Sequence, residues 1–234
     1  MKISVVMNTY QRKDGSTPFY LEKSLNSVFN QTYQNFKIFL IGDKYEDNSE
    51  FEKICSKYDK NKLYYENLPF AKERDVYTNK HAIWSYAGCY SYNYGISKAL
   101  ECGYEYICHL DHDDEWYPNH LEEIIKIIEK LKPLWICTKS EYVNGRILPT
   151  VNSTEEIIPF MPIPEGLIHS SVCMNLKDIP LRYRDIFAET GKIGLPGDAD
   201  MWHRVRDYLF SINQTGYLVN KITCKHIEEG YERR

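Results

Sequence analysis

Long hydrophobic runs are missing from this sequence of 234 residues. No stretch approaches the roughly 18 to 20 uncharged apolar residues that span a bilayer, and the apolar run at residues 3–7 is too short for the core of a signal peptide. An excess of positive charge is missing too, since 29 basic residues face 33 acidic ones and the net charge is −4. Such a chain has no overall positive field to hold a phosphate backbone. We therefore expect a cytoplasmic protein with no transmembrane segment and no nucleic acid partner.

Cysteine spacings typical of a disulfide framework or a zinc site are also absent. The seven cysteines are odd in number, and none of them lies in a C-x-x-C pair. A chain of this length buries enough apolar surface without covalent cross-links, and its 43% hydrophobic and 26% charged residues are typical of a globular protein. We expect buried free thiols in a reducing compartment.

Several common nucleotide-binding and catalytic motifs do not occur in the sequence. There is no G-x-G-x-x-G after the first strand, no Walker A loop, no H-E-x-x-H and no G-x-S-x-G. Nucleotide binding through a glycine-rich loop, and the metalloprotease and serine hydrolase chemistries, are therefore unsupported.

Strand and helix patterns alternate along the chain. A buried strand is predicted at residues 3–7, a helix with Leu21, Leu25 and Val28 on one face follows it, and a second strand covers 36–41. The same alternation continues with strands at 63–65, 104–110, 134–143 and 166–174 and with helices at 88–100, 118–131 and around 201–209. An Asn144–Gly145 turn follows the strand at 134–143. We predict a single Rossmann-like α/β domain with a mostly parallel central sheet flanked by helices and an irregular C-terminal third.

Acidic side chains follow two of the predicted strands. Asp43 comes after the second strand, and Asp111 and Asp113 lie in an Asp-His-Asp-Asp segment after the strand at 104–110. In an open α/β sheet, ligands bind beyond the carboxyl ends of the strands. Carboxylates packed closely together favour a divalent cation, and oxygen ligands suit Mg²⁺ or Mn²⁺. This pattern predicts a metal site for a bound diphosphate, and the alternative is that these acids cap helices or solvate a turn.

A second acidic pair, Asp198 and Asp200, lies beside Trp202 at the predicted start of the last helix. A carboxylate there can serve as a general base if it reaches the proton to be removed. Taken alone, the pair fits capping of the helix better, because acidic residues satisfy the free N–H groups and the dipole of a helix N-terminus.

Three segments, taken in order, resemble family 2 glycosyltransferases, which are inverting enzymes of GT-A fold with nucleotide-sugar donors. The first comprises residues 4–10, 25–36 and 42–43, the second is the D-x-D-type segment 111–116, and the third is 197–204. The resemblance covers residues 3 to about 210. It implies one GT-A domain over 1–234, with about 1–115 binding the donor and about 116–234 binding the acceptor.

The resemblance also implies roles for individual residues. The nucleotide-sugar donor would contact Asn8, Thr9, Tyr10, Asp43, Arg74, Asp111 and His112. A Mn²⁺ or Mg²⁺ ion would be held by Asp113, Asp111 and His226. The acceptor would contact His169, Asp200 and Trp202, and Asp198 would deprotonate its hydroxyl. For Arg74 the alternative is a solvated loop charge, and for His169 it is packing.

The implied activity is metal-dependent, inverting hexosyl transfer from a UDP-, GDP- or dTDP-linked sugar to a hydroxyl of a glycan or another acceptor, as in glycan or polysaccharide synthesis. Two positions depart from the family pattern. Tyr92 stands at the Arg of its Arg-Asn-x-Gly segment, and Gly42 replaces the first acid of its common Asp-Asp pair. The alternatives are a nucleotidyltransferase acting on a sugar phosphate and a non-catalytic module that binds nucleotide sugars or glycans.

Overall fold

The computed structural model describes residues 1–163 and 166–227. The strands are β1 (Ile3–Thr9), β2 (Phe36–Gly42), β3 (Leu63–Asn67), β4 (Tyr106–Asp111), β5 (Glu115–Trp116), β6 (Trp135–Tyr142), β7 (Ile147–Leu148), β8 (Ile157–Pro159), β9 (Val172–Asn175) and β10 (Tyr217–His226). The helices are α1 (Thr17–Phe29), α2 (Asn48–Cys55), α3 (Lys80–Tyr86), α4 (Cys89–Glu101), α5 (His120–Leu131), α6 (Ile186–Thr190) and α7 (Gly197–Ser211). A 3-10 turn, His169–Ser171, precedes β9.

These strands form one sheet in the order β3-β2-β1-β4-β9-β6-β10-β5, with β7 paired to β6 and β8 paired to β10. Strands β1 to β4 are parallel. Strand β9 is antiparallel to both β4 and β6, so β6 points the same way as β4, and β10 is parallel to β6. Six of the ten strands therefore share one direction, which confirms the prediction of a mostly parallel sheet.

Helices cover both faces of the sheet because successive side chains of a strand point to opposite faces. In β1, Val5 and Met7 pack in the same cluster as Leu21 of α1, whereas Val6 packs on the other face in the same cluster as Ile96 of α4. All of these side chains are fully buried. Burial on both faces explains why the strand is a nearly continuous apolar run in the sequence.

Most of the predicted elements are confirmed, and the differences are local. The Asn144–Gly145 turn joins β6 to the antiparallel β7, and Gly145 has the positive φ of 83° that favours glycine there. Helices α2 and α3 were not predicted. The strand predicted at 166–174 is only partly right, because the chain forms the 3-10 turn first and strand β9 begins at Val172.

The prediction of an irregular C-terminal third was wrong for residues 217–226. They form β10, a ten-residue strand that lies between β6 and β5 in the sheet. Its pairing with β6 shifts register between Val219 and Ile222 and again between Ile222 and Cys224. The irregular register and the polar pair Asn220–Lys221 interrupt the apolar pattern by which a strand is recognised.

All seven cysteines carry free thiols, and six of them are buried, as the sequence predicts. In the part of the chain that the structure describes, no helix has the length and apolar character needed to cross a bilayer.

Candidate active site

The carboxyl ends of the parallel strands open into a cleft of about 610 Å³. Strands β1, β2, β4, β6 and β10 point the same way, and residues at or just beyond their ends line the cleft. These residues are Tyr10, Asp43, Asp111, Tyr142 and His226. The end of α3 and the first turn of α7 complete the lining. The cleft therefore lies where an open α/β sheet binds its ligands.

Most of the residues singled out in the sequence meet in this cleft. They are Asn8, Tyr10, Asp43, Arg74, Asp111, His112, Asp113, His169, Asp198 and His226. Asp113 and Asp198, which are 85 residues apart in the chain, thus line the same cavity. Their placement agrees with the implied roles, which stay predictions.

Three of the sequence-based assignments are not supported by the structure. The Thr9 side chain is buried, and its hydroxyl lies 2.7 Å from the Tyr45 hydroxyl. Asp200 is buried in an ion pair with Arg204 of the next turn of α7. Trp202 is fully buried in the core, because it lies with Met201 and Val205 on the apolar face of α7 that packs toward the sheet.

Asp43, Arg74 and Tyr10 form one end of the cleft. Arg74 donates from Nε to Oδ2 of Asp43 at 2.8 Å and from Nη2 to the Asp43 backbone carbonyl, and its guanidinium lies 4.8 Å from the centre of the Tyr10 ring. Burial raises the pKa of Asp43, and the Arg74 charge opposes that increase. The buried Oδ1 of Asp43 has no hydrogen-bond partner among the described residues. Arg74 is therefore an ion-pair partner and not a solvated loop charge.

Asp111 is held by two side chains that come from distant parts of the chain. Its Oδ1 accepts a hydrogen bond from the Tyr92 hydroxyl at 2.7 Å and lies 3.1 Å from Nδ1 of His169. Burial lowers the pKa of His169, but the charge and hydrogen bond of Asp111, together with the charges of Asp198 and Asp114, outweigh burial, and the net shift is upward. Tyr92, the departure from the family's Arg-Asn-x-Gly pattern, thus contacts an acid of the D-x-D-type segment. That departure was the only signal for Tyr92 in the sequence.

Asp113 is joined to Arg12, a residue that sequence analysis missed. Arg12 donates from Nη2 to Oδ2 of Asp113 at 2.9 Å, and both side chains are buried. The guanidinium also lies 5.0 Å from the centre of the Tyr20 ring. The ion pair fixes the position of the Asp113 carboxylate at the cleft wall.

Asp114, the third acid of the segment, anchors His226. Its fully buried carboxylate lies 2.9 Å from Nδ1 of His226 and accepts hydrogen bonds from the Ser170 hydroxyl and the Ile227 backbone N–H. Burial lowers the pKa of His226, but its hydrogen bond and charge interaction with Asp114 raise the pKa to about 8. Burial raises the pKa of Asp114, and His226 opposes this. Nδ1 is thus engaged, and the other ring nitrogen of His226 is left for the cleft.

Asp198 lies in the first turn of α7, and its Oδ1 accepts a hydrogen bond from the Ala199 N–H at 2.8 Å. The preceding Gly197 lets this turn pack closely against α4, since a Cβ there would lie 2.5 Å from Sγ of Cys89. Asp198 therefore interacts with the N-terminus of α7 and at the same time lines the cleft. Capping and catalysis are therefore compatible at this position.

The residues that would hold a divalent cation are Asp113, Asp111 and His226. Within residues 1–163 and 166–227, no group of three or more His, Cys, Asp or Glu side chains lies close enough to hold a metal unaided. Mg²⁺ commonly uses one or two carboxylates together with substrate phosphates, and Asp113 at the cleft wall fits that mode. The His226–Asp114 pair has the carboxylate–histidine arrangement common behind metal-binding imidazoles.

The sequence of this chain is similar to those of known glycosyltransferases. The family model described as glycosyl transferase family 2 matches residues 4–191. An uncharacterized glycosyltransferase, R139, of Acanthamoeba polyphaga mimivirus is 36% identical over 241 residues, which cover 98% of this chain and 95% of the relative. One from Rickettsia bellii is 31% identical over 219 residues, which cover 87% of this chain but 27% of that relative. The chain therefore belongs to glycosyltransferase family 2.

The fold of this chain is similar to that of a solved structure. S. aureus TarS 1-349 in complex with UDP-GlcNAc matches with a TM-score of 0.70 and 17% sequence identity, and the match covers 98% of this chain and 59% of that one. The GT-A fold predicted from the family resemblance is thereby confirmed. Family membership also favours glycosyl transfer over the nucleotidyltransferase alternative.

Proposed function

We propose that this chain transfers a sugar from a UDP-linked donor to an acceptor hydroxyl, with inversion at the anomeric carbon and with the help of a divalent cation. The observation that carries the proposal is the convergence of Asp43, Asp113 and Asp198 on one cleft. These acids follow β2, follow β4 and begin α7, so each reaches the cleft from a separate element. Such a cleft offers one carboxylate to bind the nucleobase of the donor, one to bind its diphosphate through a cation, and one to deprotonate the attacking hydroxyl.

The end of the cleft formed by Tyr10, Asp43 and Arg74 suits a nucleobase. The unpartnered Oδ1 of Asp43 is a hydrogen-bond acceptor inside the protein, and leaving it unmatched costs free energy. The ring N–H of uracil satisfies it, and so do the corresponding groups of thymine and guanine, whereas cytosine has no such N–H. The structural similarity to TarS, whose complex contains UDP-GlcNAc, supports uridine among these bases.

The acids after β4 suit the diphosphate. We expect Asp113, with Asp111 and His226 beside it, to hold Mn²⁺ or Mg²⁺ against the phosphates. When bound, the cation neutralises the charge that grows on the departing nucleoside diphosphate. Arg12 holds the Asp113 carboxylate in place for this task.

Asp198 is the proposed general base. Its carboxylate faces the cleft and accepts the proton of the acceptor hydroxyl as that oxygen attacks the anomeric carbon. Attack from the side opposite the departing diphosphate inverts the anomeric configuration in a single displacement.

The first experiment incubates the purified chain with UDP-, GDP- and dTDP-linked sugars and Mn²⁺, and follows donor hydrolysis and glycosyl transfer, with product configuration determined by NMR. We expect turnover of a UDP-sugar, loss of it with EDTA, and an inverted product. Formation of UTP and a sugar phosphate from the UDP-sugar when pyrophosphate is added would support the nucleotidyltransferase alternative, and donor binding without turnover would support the binding module.

The second experiment tests the base site by thermal shift with UDP and CDP. The wild-type protein should be stabilised more by UDP, and Asp43→Asn should abolish or reverse that preference, because the amide donates where the carboxylate accepts. Asp75→Asn, a change of the exposed carboxylate that pairs with Lys44, is the matched control and should keep the preference. If UDP and CDP each stabilise Asp43→Asn as much as they stabilise the wild type, Asp43 does not bind the nucleobase.

A further inference from the structure

One part of the cleft combines exposed apolar side chains with a buried hydroxyl. Trp84 of α3 is 37% exposed, and Leu195, just before α7, is 43% exposed. Both side chains line the cleft that also contains Asp198. Large apolar side chains exposed in a substrate cleft mark a surface that a ligand covers.

Ser85 supplies the buried hydroxyl of this region. Ser85 is one of the residues that line the cleft and is only 5% exposed, and its Oγ has no hydrogen-bond partner in the described part of the chain. A buried hydroxyl without a partner is unfavourable, so a ligand that hydrogen-bonds to it gains affinity.

This region is fixed against the helix that carries Asp198. A Cβ on Gly197 would lie 3.5 Å from the Ser85 backbone carbonyl oxygen, so the first turn of α7 packs directly on the end of α3. The Gly194 N–H donates to the Tyr86 hydroxyl at 2.8 Å, which ties α3 to the segment before α7. Trp84 and Ser85 therefore belong to a preformed wall next to Asp198.

We propose that Trp84 and Ser85 form the acceptor subsite and that the acceptor presents a sugar ring there. The inference rests on the proposed function, since Asp198 marks where the attacking hydroxyl lies. A pyranose has an apolar C–H face that packs on an indole ring, and hydroxyl groups at its edge that can bond to Ser85. An alkyl chain would cover Trp84 and Leu195 equally well, but it would leave the Ser85 hydroxyl without a partner. The hydroxyl thus favours a sugar over a lipid chain.

Tryptophan fluorescence gives a test that does not depend on turnover. Of the four tryptophans, Trp116, Trp135 and Trp202 are buried, so quenching by acrylamide reports mainly on Trp84. With UDP and Mn²⁺ present, the probes are the methyl glycosides of glucose, N-acetylglucosamine, galactose and mannose, their short oligomers, and octanol as the alkyl probe. We expect at least one saccharide to protect Trp84 from the quencher in a saturable manner.

Substitution of Ser85 keeps the fluorescent reporter and tests the hydrogen bond. Ser85→Ala should lower the affinity of the saccharide that protects Trp84 about tenfold, which is the effect of one hydrogen bond of ~1.4 kcal/mol.

The Trp84 variants test the apolar contact through the kinetics of transfer. Trp84→Ala should raise the KM for the acceptor about tenfold, and Trp84→Phe should recover most of that loss, while the KM for the donor stays unchanged in both variants. Phe210→Ala, at the exposed far end of α7, is the control and should leave all of these values unchanged.

Failure of this inference is distinguishable from failure of the proposed function. If UDP-sugar is bound and hydrolysed while no saccharide protects Trp84, or while octanol alone protects it, the acceptor subsite is wrong and the proposed function stands. An unchanged saccharide affinity in Ser85→Ala would also overturn the subsite. If the chain binds no nucleotide sugar, the proposed function is wrong and the inference falls with it.

Discussion

Arg12 and Asp113 are 101 residues apart in the chain, yet they form a buried ion pair with an N–O distance of 2.9 Å at the wall of the cleft. A buried ion pair is not by itself a large source of stability, because both charges lose their hydration. Removing one partner is costly, since the other charge stays buried without compensation. The pair therefore links the stability of the domain to the carboxylate at its cleft.

We predict that Arg12→Met lowers the free energy of unfolding by about 3 kcal/mol. The double variant Arg12→Met/Asp113→Asn should recover part of this loss, because no unpaired charge then remains. Urea denaturation of Arg12→Met, Asp113→Asn and the double variant measures the coupling energy between the two side chains. Arg206→Met, which removes a half-buried guanidinium that pairs with the exposed Asp207 on α7, is the control and should have little effect. Strictly additive losses in the cycle would contradict the coupling of Arg12 to Asp113.

Asp198→Asn should reduce kcat for glycosyl transfer by about 10² to 10⁴, because the amide cannot accept the acceptor proton. UDP binding, measured by calorimetry, should be retained, since the proposed base faces the acceptor. Asp207→Asn changes an exposed acid on the same helix and should leave kcat as it is. Near-normal transfer by a folded, UDP-binding Asp198→Asn protein would show that another group is the base.

Gly88→Ala should destabilise the protein more than Gly103→Ala does, although both glycines have positive φ angles. At Gly103 an added Cβ meets open space, so the cost is the backbone strain alone, about 1 kcal/mol. At Gly88 the Cβ would also clash with Nδ2 of Asn8, a side chain of the cleft. We expect a loss of more than 2 kcal/mol in urea unfolding, together with weaker donor binding. Equal losses for the two variants would mean that the Asn8 contact does not restrict this position.

Glu73 should make stability depend on pH in the direction opposite to that of an ion-paired acid. Burial raises its pKa from 4.5 to about 7, although the Tyr90 N–H donates to its carboxylate and opposes the shift. Between these values the folded state binds more protons than the unfolded state, so this contribution to stability is present below pH 4.5 and is lost as the pH rises through 7.

Glu73→Gln removes the titrating group, so its stability relative to the wild type should increase by up to about 3 kcal/mol between pH 4.5 and pH 8. Urea unfolding of both proteins at the two pH values gives the difference, in which shared titrations cancel. Glu101→Gln, a change of an exposed acid, is the control. A difference that is the same at both pH values would contradict the raised pKa of Glu73.

Much of the fold followed from local sequence patterns. The apolar runs of β1 and β2, and the single apolar faces of α1 and α5, encode their structure within a few residues, because burial on two faces or on one stripe leaves a regular pattern. Strand β10 left no such pattern, since its register shifts twice against β6. Its place in the sheet was decided by pairing with a strand about 80 residues earlier.

For the site, the sequence by itself determined which acids follow the strands, and the topology of a parallel sheet then required Asp43 and Asp111 to meet at one edge. Tertiary structure alone decided what each acid touches: Tyr92 and His169 on Asp111, Arg12 on Asp113, and His226 on Asp114, across 112 residues. It also placed α3, which lies in the part of the chain predicted to bind the donor, beside Asp198. The physical reason is that spacing along a chain encodes faces and ends of elements, whereas ion pairs and cleft walls form between elements brought together only by packing.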